Sequence, residues 1–191
     1  MAEPVIDNRI TLKKARQHFV TITKHRHLVM RYCFRCGLYY QGLMHDLSKY
    51  LPAEFLKGAR YYQGTQSPNN AERRDKGISF AWMHHKGRNK HHYEYWWDYI
   101  DIPGSARPGY GPAKMPNRYI LEMFCDRVAA ARIYHPDDFT NDLPLLYLTS
   151  HQTQRLMHPE TARKLTILLE MYRDKGDETF DEVRKALRES R

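Results

Sequence analysis

Apolar positions recur at helical spacing along most of the chain. Over residues 9–36 Ile10, Ala15, Phe19, Ile22 and Val29 fall near one stripe, with Asn8 placed as a cap and Gly37 as a stop, so one long helix is expected. The short piece GLMHDLSKY (42–50) follows, and Pro52 is suited to open a helix running to about Tyr62. GTQSPNNAERRDKG (64–77) is rich in turn formers and charge and reads as a loop. ISFAWMHHKGRNKHHYEYWWDYI has helical character at least through its first half. IPGSARPGYGPAKMP holds four Pro and three Gly and reads as a long loop, a feature that often serves as a lid or part of a site. Pro116 opens the helix NRYILEMFCDRVAAARIY, which ends near His135-Pro136; PLLYLTSHQTQRLM, HPETARKLTILLEMYRDKG and ETFDEVRKALRES complete the chain as helices. No strand pattern is visible. The expectation is an all-α fold in one domain over 1–191, with a core about 9–175 and a C-terminal helix about 177–190.

Composition changes this picture little. At 191 residues, with 41% hydrophobic and 28% charged residues, the chain can bury one real core. No apolar run is long enough for a membrane span, and MAEPVIDNRITLKK lacks the apolar centre of a signal peptide, so a cytoplasmic protein is expected. Cys33, Cys36 and Cys125 cannot build a disulfide framework. The CxxC of Cys33 and Cys36 lies in a helical stretch without a second pair, which favours buried thiols over a zinc or redox site. The net charge of +9 ranks anionic partners first: a nucleotide, nucleic acid or an acidic surface.

The eleven histidines carry more information through their placement. His25 lies on the first helix, and His45 and Asp46 are adjacent in an otherwise apolar turn. His84, His85, His91 and His92 crowd together. Asp126 interrupts an apolar helix, with Glu122 four residues before it on the same face. A carboxylate on a buried face is costly unless a cation or donors compensate it, and transition metals take imidazole and carboxylate ligands readily. If one helix ran through 84–92, either His84 with His91 or His85 with His92 would share a face. Asn89 could orient a ligand or cap a helix, Arg88 and Lys90 could neutralise an anion or face solvent, and Glu122 could accept the second N–H of a ligating imidazole. The aromatic clusters YYQG and YEYWWDY suit core packing better than base stacking. His18, His27, His135, His151 and His158 read as structural or surface residues.

The order His25, His45-Asp46, His85, His91/His92, Asp126 resembles the HD-domain superfamily of all-helical, metal-dependent phosphohydrolases. HDLSKYLP (45–52) is also similar to the HDxGKxxxP stretch of its cyclic-dinucleotide phosphodiesterases, where the Lys contacts a substrate phosphate; that role would fall to Lys49. The GYP motif of those enzymes is missing. A closer resemblance is to a small bacterial and phage family marked by HKxxV, HDLSKF/Y, P-x-EF, HHxxRNxHH and MPxxYxxEMxxD. This chain carries HRHLV (25–29), HDLSKY (45–50), PAEF (52–55), HHKGRNKHH (84–92) and MPNRYILEMFCD (115–126), with Arg26 matching the family Lys in charge only.

The resemblance implies one or two divalent ions (Mn, Fe, Co, Ni or Zn) held by His25, His45, Asp46 and Asp126 with help from His85, His91 and His92. The implied reaction is hydrolysis of a nucleotide or related phosphate ester by metal-activated water, with Lys49 and a nearby Arg such as Arg88 neutralising phosphate oxygens. Two alternatives stand beside it. The same ligand set would suit a di-iron oxygenase of the HD type. A basic helical module that binds nucleic acid or a partner, with a structural metal, is the non-enzymatic reading.

Overall fold

The computed structural model describes residues 8–101 and 103–189. Residues 1–7, on which part of the leader reading rested, residue 102 of the Pro/Gly segment and residue 190 of the expected last helix lie outside them. Among the described residues the chain is mainly helical, as the periodicity predicts: α1 Leu12–Arg35, α2 Tyr39–Met44, α3 Pro52–Arg60, α4 Pro68–Lys76, α5 Phe80–Lys86, α6 Asn117–Tyr134, α7 Leu143–Ser150, α8 Pro159–Lys175 and α9 Glu178–Glu189. None of these helices is long and apolar enough to cross a membrane.

Three local expectations are corrected. The cap of α1 is Thr11, whose side chain accepts from Lys14 N, rather than Asn8. The stripe it buries is His18, Ile22, His25, Val29, Tyr32 and Cys33, while Phe19 stays 48% exposed. Two imidazoles thus occupy places where hydropathy alone would put apolar groups. The expected loop 64–77 contains α4, which has no apolar stripe to betray it. It is held instead by buried Glu72, which accepts from Ser79 Oγ and Ala81 N at the start of α5.

The third correction concerns the Pro/Gly segment, which carries one strand of an antiparallel hairpin. β1 Trp97–Ile100 pairs with β2 Gly109–Pro112, Trp97 opposite Pro112. Tyr110 touches Trp97 and Tyr99 with ring centroids 5.6 and 5.7 Å away, the cross-strand aromatic contact that favours a two-stranded ribbon.

α1 and α6 lie side by side, and α8 and α9 close the core around Tyr32, Phe124, Leu165, Leu169, Tyr172 and Phe180. Tyr32 stacks on Phe180 at 4.3 Å between ring centroids. Cys33, Cys36 and Cys125 are free and buried in this core, with Sγ of Cys36 and Cys125 4.0 Å apart. Burial pushes the Cys125 thiol well up, which makes it inert. The other end of the α1–α6 pair, toward α3, α5 and α7, opens into a cavity.

Candidate metal centre

His45 and Asp46 are brought together by a break in the helix. In a continuous helix neighbouring side chains diverge. Here His45 leaves α2 with φ −51° and ψ 126°, and Asp46 takes the left-handed conformation with φ 55° and ψ 21°. Aspartate is among the few residues that visit this region readily. The two side chains converge, with His45 Nε2 3.3 Å from Asp46 Oδ2. Arg26, which sequence reasoning valued only for its charge, clamps this turn by donating to the carbonyls of His45 (3.1 Å) and Leu43 (2.5 Å).

Three other elements aim imidazoles at the same carboxylate, and a fourth, α6, brings Asp126 to two of these histidine rings. From α1, His25 Nε2 lies 2.9 Å from Asp126 Oδ1 of α6 and 3.7 Å from Asp46 Oδ2. His45 Nε2 is 3.6 Å from the same Asp126 oxygen. On the other side, His85 Nε2 from the last turn of α5 is 3.2 Å from Asp46 Oδ1, and His91 Nε2 is 3.4 Å from it. Asp46 therefore directs one oxygen to His25 and His45, which Asp126 also meets, and the other to His85 and His91.

The outer faces of the imidazoles are held as well. Glu122 Oε1 lies 3.0 Å from Nδ1 of both His45 and His91. Glu54 Oε2 lies 2.8 Å from His85 Nδ1, and its other oxygen is 2.6 Å from His84 Nδ1. Such contacts fix a ring's tautomer and leave Nε2 free to ligate. Glu54 is a residue that sequence reasoning passed over; the signal was its place in PAEF, directly after the His-Asp turn.

The helix does not continue through 84–92, the condition on which the shared face of His84 with His91 or His85 with His92 depended. α5 ends at Lys86, Gly87 caps it, and a turn carries the chain to His91 and His92. The ambiguity of register falls away with the helix: His91 and His92 both reach the centre, whereas His84 is turned toward Glu54. Asn89 donates to Ser48 Oγ (2.9 Å) and to the His85 carbonyl (2.8 Å), so it braces His85. Arg88 is exposed and donates to the His84 carbonyl, and it is not among the residues lining the cavity. Lys49 Nζ lies 2.5 Å from Asp46 Oδ2.

Nε2 of His45, His85, His91 and His92 and Oδ1 of Asp46 are buried without a hydrogen-bond partner, whereas Asp46 Oδ2 is met by the Lys49 ammonium and His25 Nε2 by Asp126. Each such atom costs about 1–3 kcal/mol if left unsatisfied. Two groups of ligand atoms, each within 4.8 Å of one another, could hold an ion: His25, His45, Asp46 and Asp126, and Asp46, His85, His91 and His92. The nitrogen and carboxylate donors suit a divalent transition metal. A third cluster, His45, His91 and Glu122, is accounted for by its hydrogen bonds.

Electrostatics tie the residues of the centre together. Burial would raise the carboxyls of Asp46 and Asp126, yet the surrounding imidazoles, and for Asp46 also Lys49, hold both well below the usual carboxylate range. Burial would likewise depress His45, but Asp46, Asp126 and Glu122 outweigh it and hold the imidazole well above its ordinary value. His25 goes the other way, lowered by burial and by Lys49.

His25, His85, His92 and Asp126 of the centre line a cavity of about 690 Å³, within the size range of small-molecule sites, while His45, Asp46 and His91 are not among its lining residues. His18, left as a structural or surface residue by sequence reasoning, is buried and lines it, as do Lys49, Arg73 and Arg127. Among the described residues, none of 97–116 lines the cavity, so the hairpin does not act as its wall.

The chain matches a family of unknown function, DUF5662, over residues 14–171. It belongs to that family. The matched span contains every residue of the centre and of its outer hydrogen bonds. No curated protein and no solved structure matches the chain.

Proposed function

We propose that this member of DUF5662 is a metal-dependent phosphohydrolase acting on a nucleotide or related phosphate ester. The observation that carries the reading is Asp46, whose two oxygens serve separate imidazole groups directly behind the His25, His85, His92 and Asp126 side chains that line a cavity, with Lys49 at one of them. The resemblance to the HD-domain superfamily supports it, as does the net charge of +9.

In this reading His25, His45, Asp46 and Asp126 hold one ion, and Asp46, His85, His91 and His92 hold a second. Such ions supply Lewis acidity and lower the pKa of water. The chain's own groups do the rest. Lys49 offers an ammonium to the phosphate oxygens from beside Asp46. Glu122, Glu54 and Asn89 keep the imidazoles oriented. The enclosing walls of α1, α6 and α7 restrict water around the reacting group.

The test is element-resolved metal analysis of protein purified without chelator, together with phosphate release from a panel of nucleotides and simple phosphate esters. Chelator-sensitive phosphate release, lost in the His45→Ala/Asp46→Ala double variant, is expected. Two equivalents of iron with oxygen uptake and no phosphate release would replace hydrolysis by oxygenase chemistry. A metal-free, inactive protein with unchanged folding would overturn the reading.

A further inference from the structure

Beside the metal centre, two half-buried polar side chains, Arg127 and Glu94, line the cavity. Nε of Arg127 is buried and makes no hydrogen bond, and so is Oε2 of Glu94. Both residues line the cavity, yet no ion pair or hydrogen bond joins them among the described residues. Arg127 follows the ligand Asp126 on α6, and Glu94 follows His92 in the 3-10 turn Tyr93–Trp96. Burial pushes the Arg127 guanidinium down, and the charges of Asp126 and Glu94 pull it back.

The walls beside this pair are flat and apolar. Trp82 and Tyr93 line the cavity on one side. On the other, α7 turns Leu143, Leu146, Tyr147 and Ser150 inward, a face at helical spacing, and leaves Leu146 50% and Tyr147 55% exposed. A guanidinium donor and a carboxyl acceptor that do not pair with one another, set among aromatic faces, suit a planar group whose edge both donates and accepts.

We infer that Glu94 and Arg127 form the specificity point of the cavity, gripping the hydrogen-bonding edge of a planar, nucleobase-like group on the part of the substrate that does not react. This deepens the phosphohydrolase reading and rests on it for the position of the phosphate. The carboxyl accepts from a ring N–H or exocyclic amine, and the guanidinium donates to a ring nitrogen or carbonyl. A site built to pair polar groups rejects an analogue that lacks them, because its own buried groups are then left without partners.

The experiment compares ribose 5-phosphate with the four common nucleoside 5′-monophosphates, which share its sugar and phosphate and add only the base. Binding is measured by calorimetry on the protein as purified, and on Glu94→Gln, Arg127→Lys and Arg127→Ala, each checked for an unchanged melting transition. At least one monophosphate is expected to bind about 10-fold or more tighter than ribose 5-phosphate. That advantage is expected to vanish in Glu94→Gln and in whichever Arg127 variants fold, with ribose 5-phosphate affinity moved less than about 2-fold. Equal binding of all five compounds would overturn the inference, as would an advantage that survives both substitutions. Hydrolysis is read separately. A base advantage without phosphate release would sink the hydrolase reading alone, and phosphate release without a base advantage would sink this inference alone.

Discussion

Lys49 Nζ stands 2.5 Å from Oδ2 of Asp46, the oxygen that also faces His25 and His45. The ammonium is three residues on from the carboxylate, and the 3-10 turn Leu47–Tyr50 folds it back. Asp46 and Asp126 hold the Lys49 ammonium well above its usual range against the pull of burial. A fixed positive charge at the mouth of the centre is suited to a phosphate oxygen. Lys49→Met is therefore expected to lower phosphate release by about 100-fold while metal content stays undiminished. Steady-state kinetics beside metal analysis checks it; a loss of metal instead would make Lys49 a structural brace.

Asp46 joins the two ligand groups, so it is expected to matter to both. Asp46→Asn should remove metal from the whole centre, whereas His85→Ala should leave the His25, His45, Asp126 side occupied. Metal equivalents measured on the three proteins separate a shared carboxylate from two independent sites.

Glu122 contacts two imidazoles of the candidate centre and Glu54 one, His85. Glu122→Ala is expected to weaken metal binding by about 10- to 100-fold at both positions, and Glu54→Ala by a similar factor at one. Competition with a chelator of known affinity reads the difference. Equal behaviour of the two variants would contradict the arrangement.

His18 offers a pH test free of the metal. Burial first, and Lys49 second, lower its imidazole to about 4 from an ordinary 6.5. The unfolded chain thus binds this proton more readily than the folded one. Stability from this residue is complete above pH 6.5 and falls as the pH drops toward 4, by about 3 kcal/mol at the limit. Denaturant unfolding of chelated wild type minus chelated His18→Gln should show that slope between these values; a flat difference would mean His18 is solvated.

The same imidazole fills the space over Gly58 of α3. A Cβ built there would lie 2.2 Å from His18 Nε2. His18 is boxed in by Phe55 and Tyr62, at 5.4 and 5.9 Å between ring centroids, and cannot swing away freely. Gly58→Ala is expected to destabilise the protein by about 1–3 kcal/mol. Pairing it with His18→Ala should recover part of that loss, and strict additivity in the double-variant cycle would show that the two do not touch.

By itself the sequence determined the helical class and most helix positions, because a 3.6-residue apolar period survives in any local window. It also singled out His25, His45, Asp46 and Asp126, since imidazoles and carboxylates interrupting apolar faces are visible as chemistry. It could not read α4, whose anchor is Glu72 reaching Ser79 and Ala81, or the hairpin, whose aromatic pairs join distant positions. Only the tertiary structure decided that α5 stops at Lys86, so that His91 and His92 reach Asp46 while His84 turns to Glu54. It alone gave Glu54, Arg26 and His18 their places and moved Arg88 off the cavity. The physical reason is that helix faces are written in neighbouring residues, whereas a centre is made where five separate elements meet. That meeting is set by packing across the whole chain and by the left-handed backbone of Asp46.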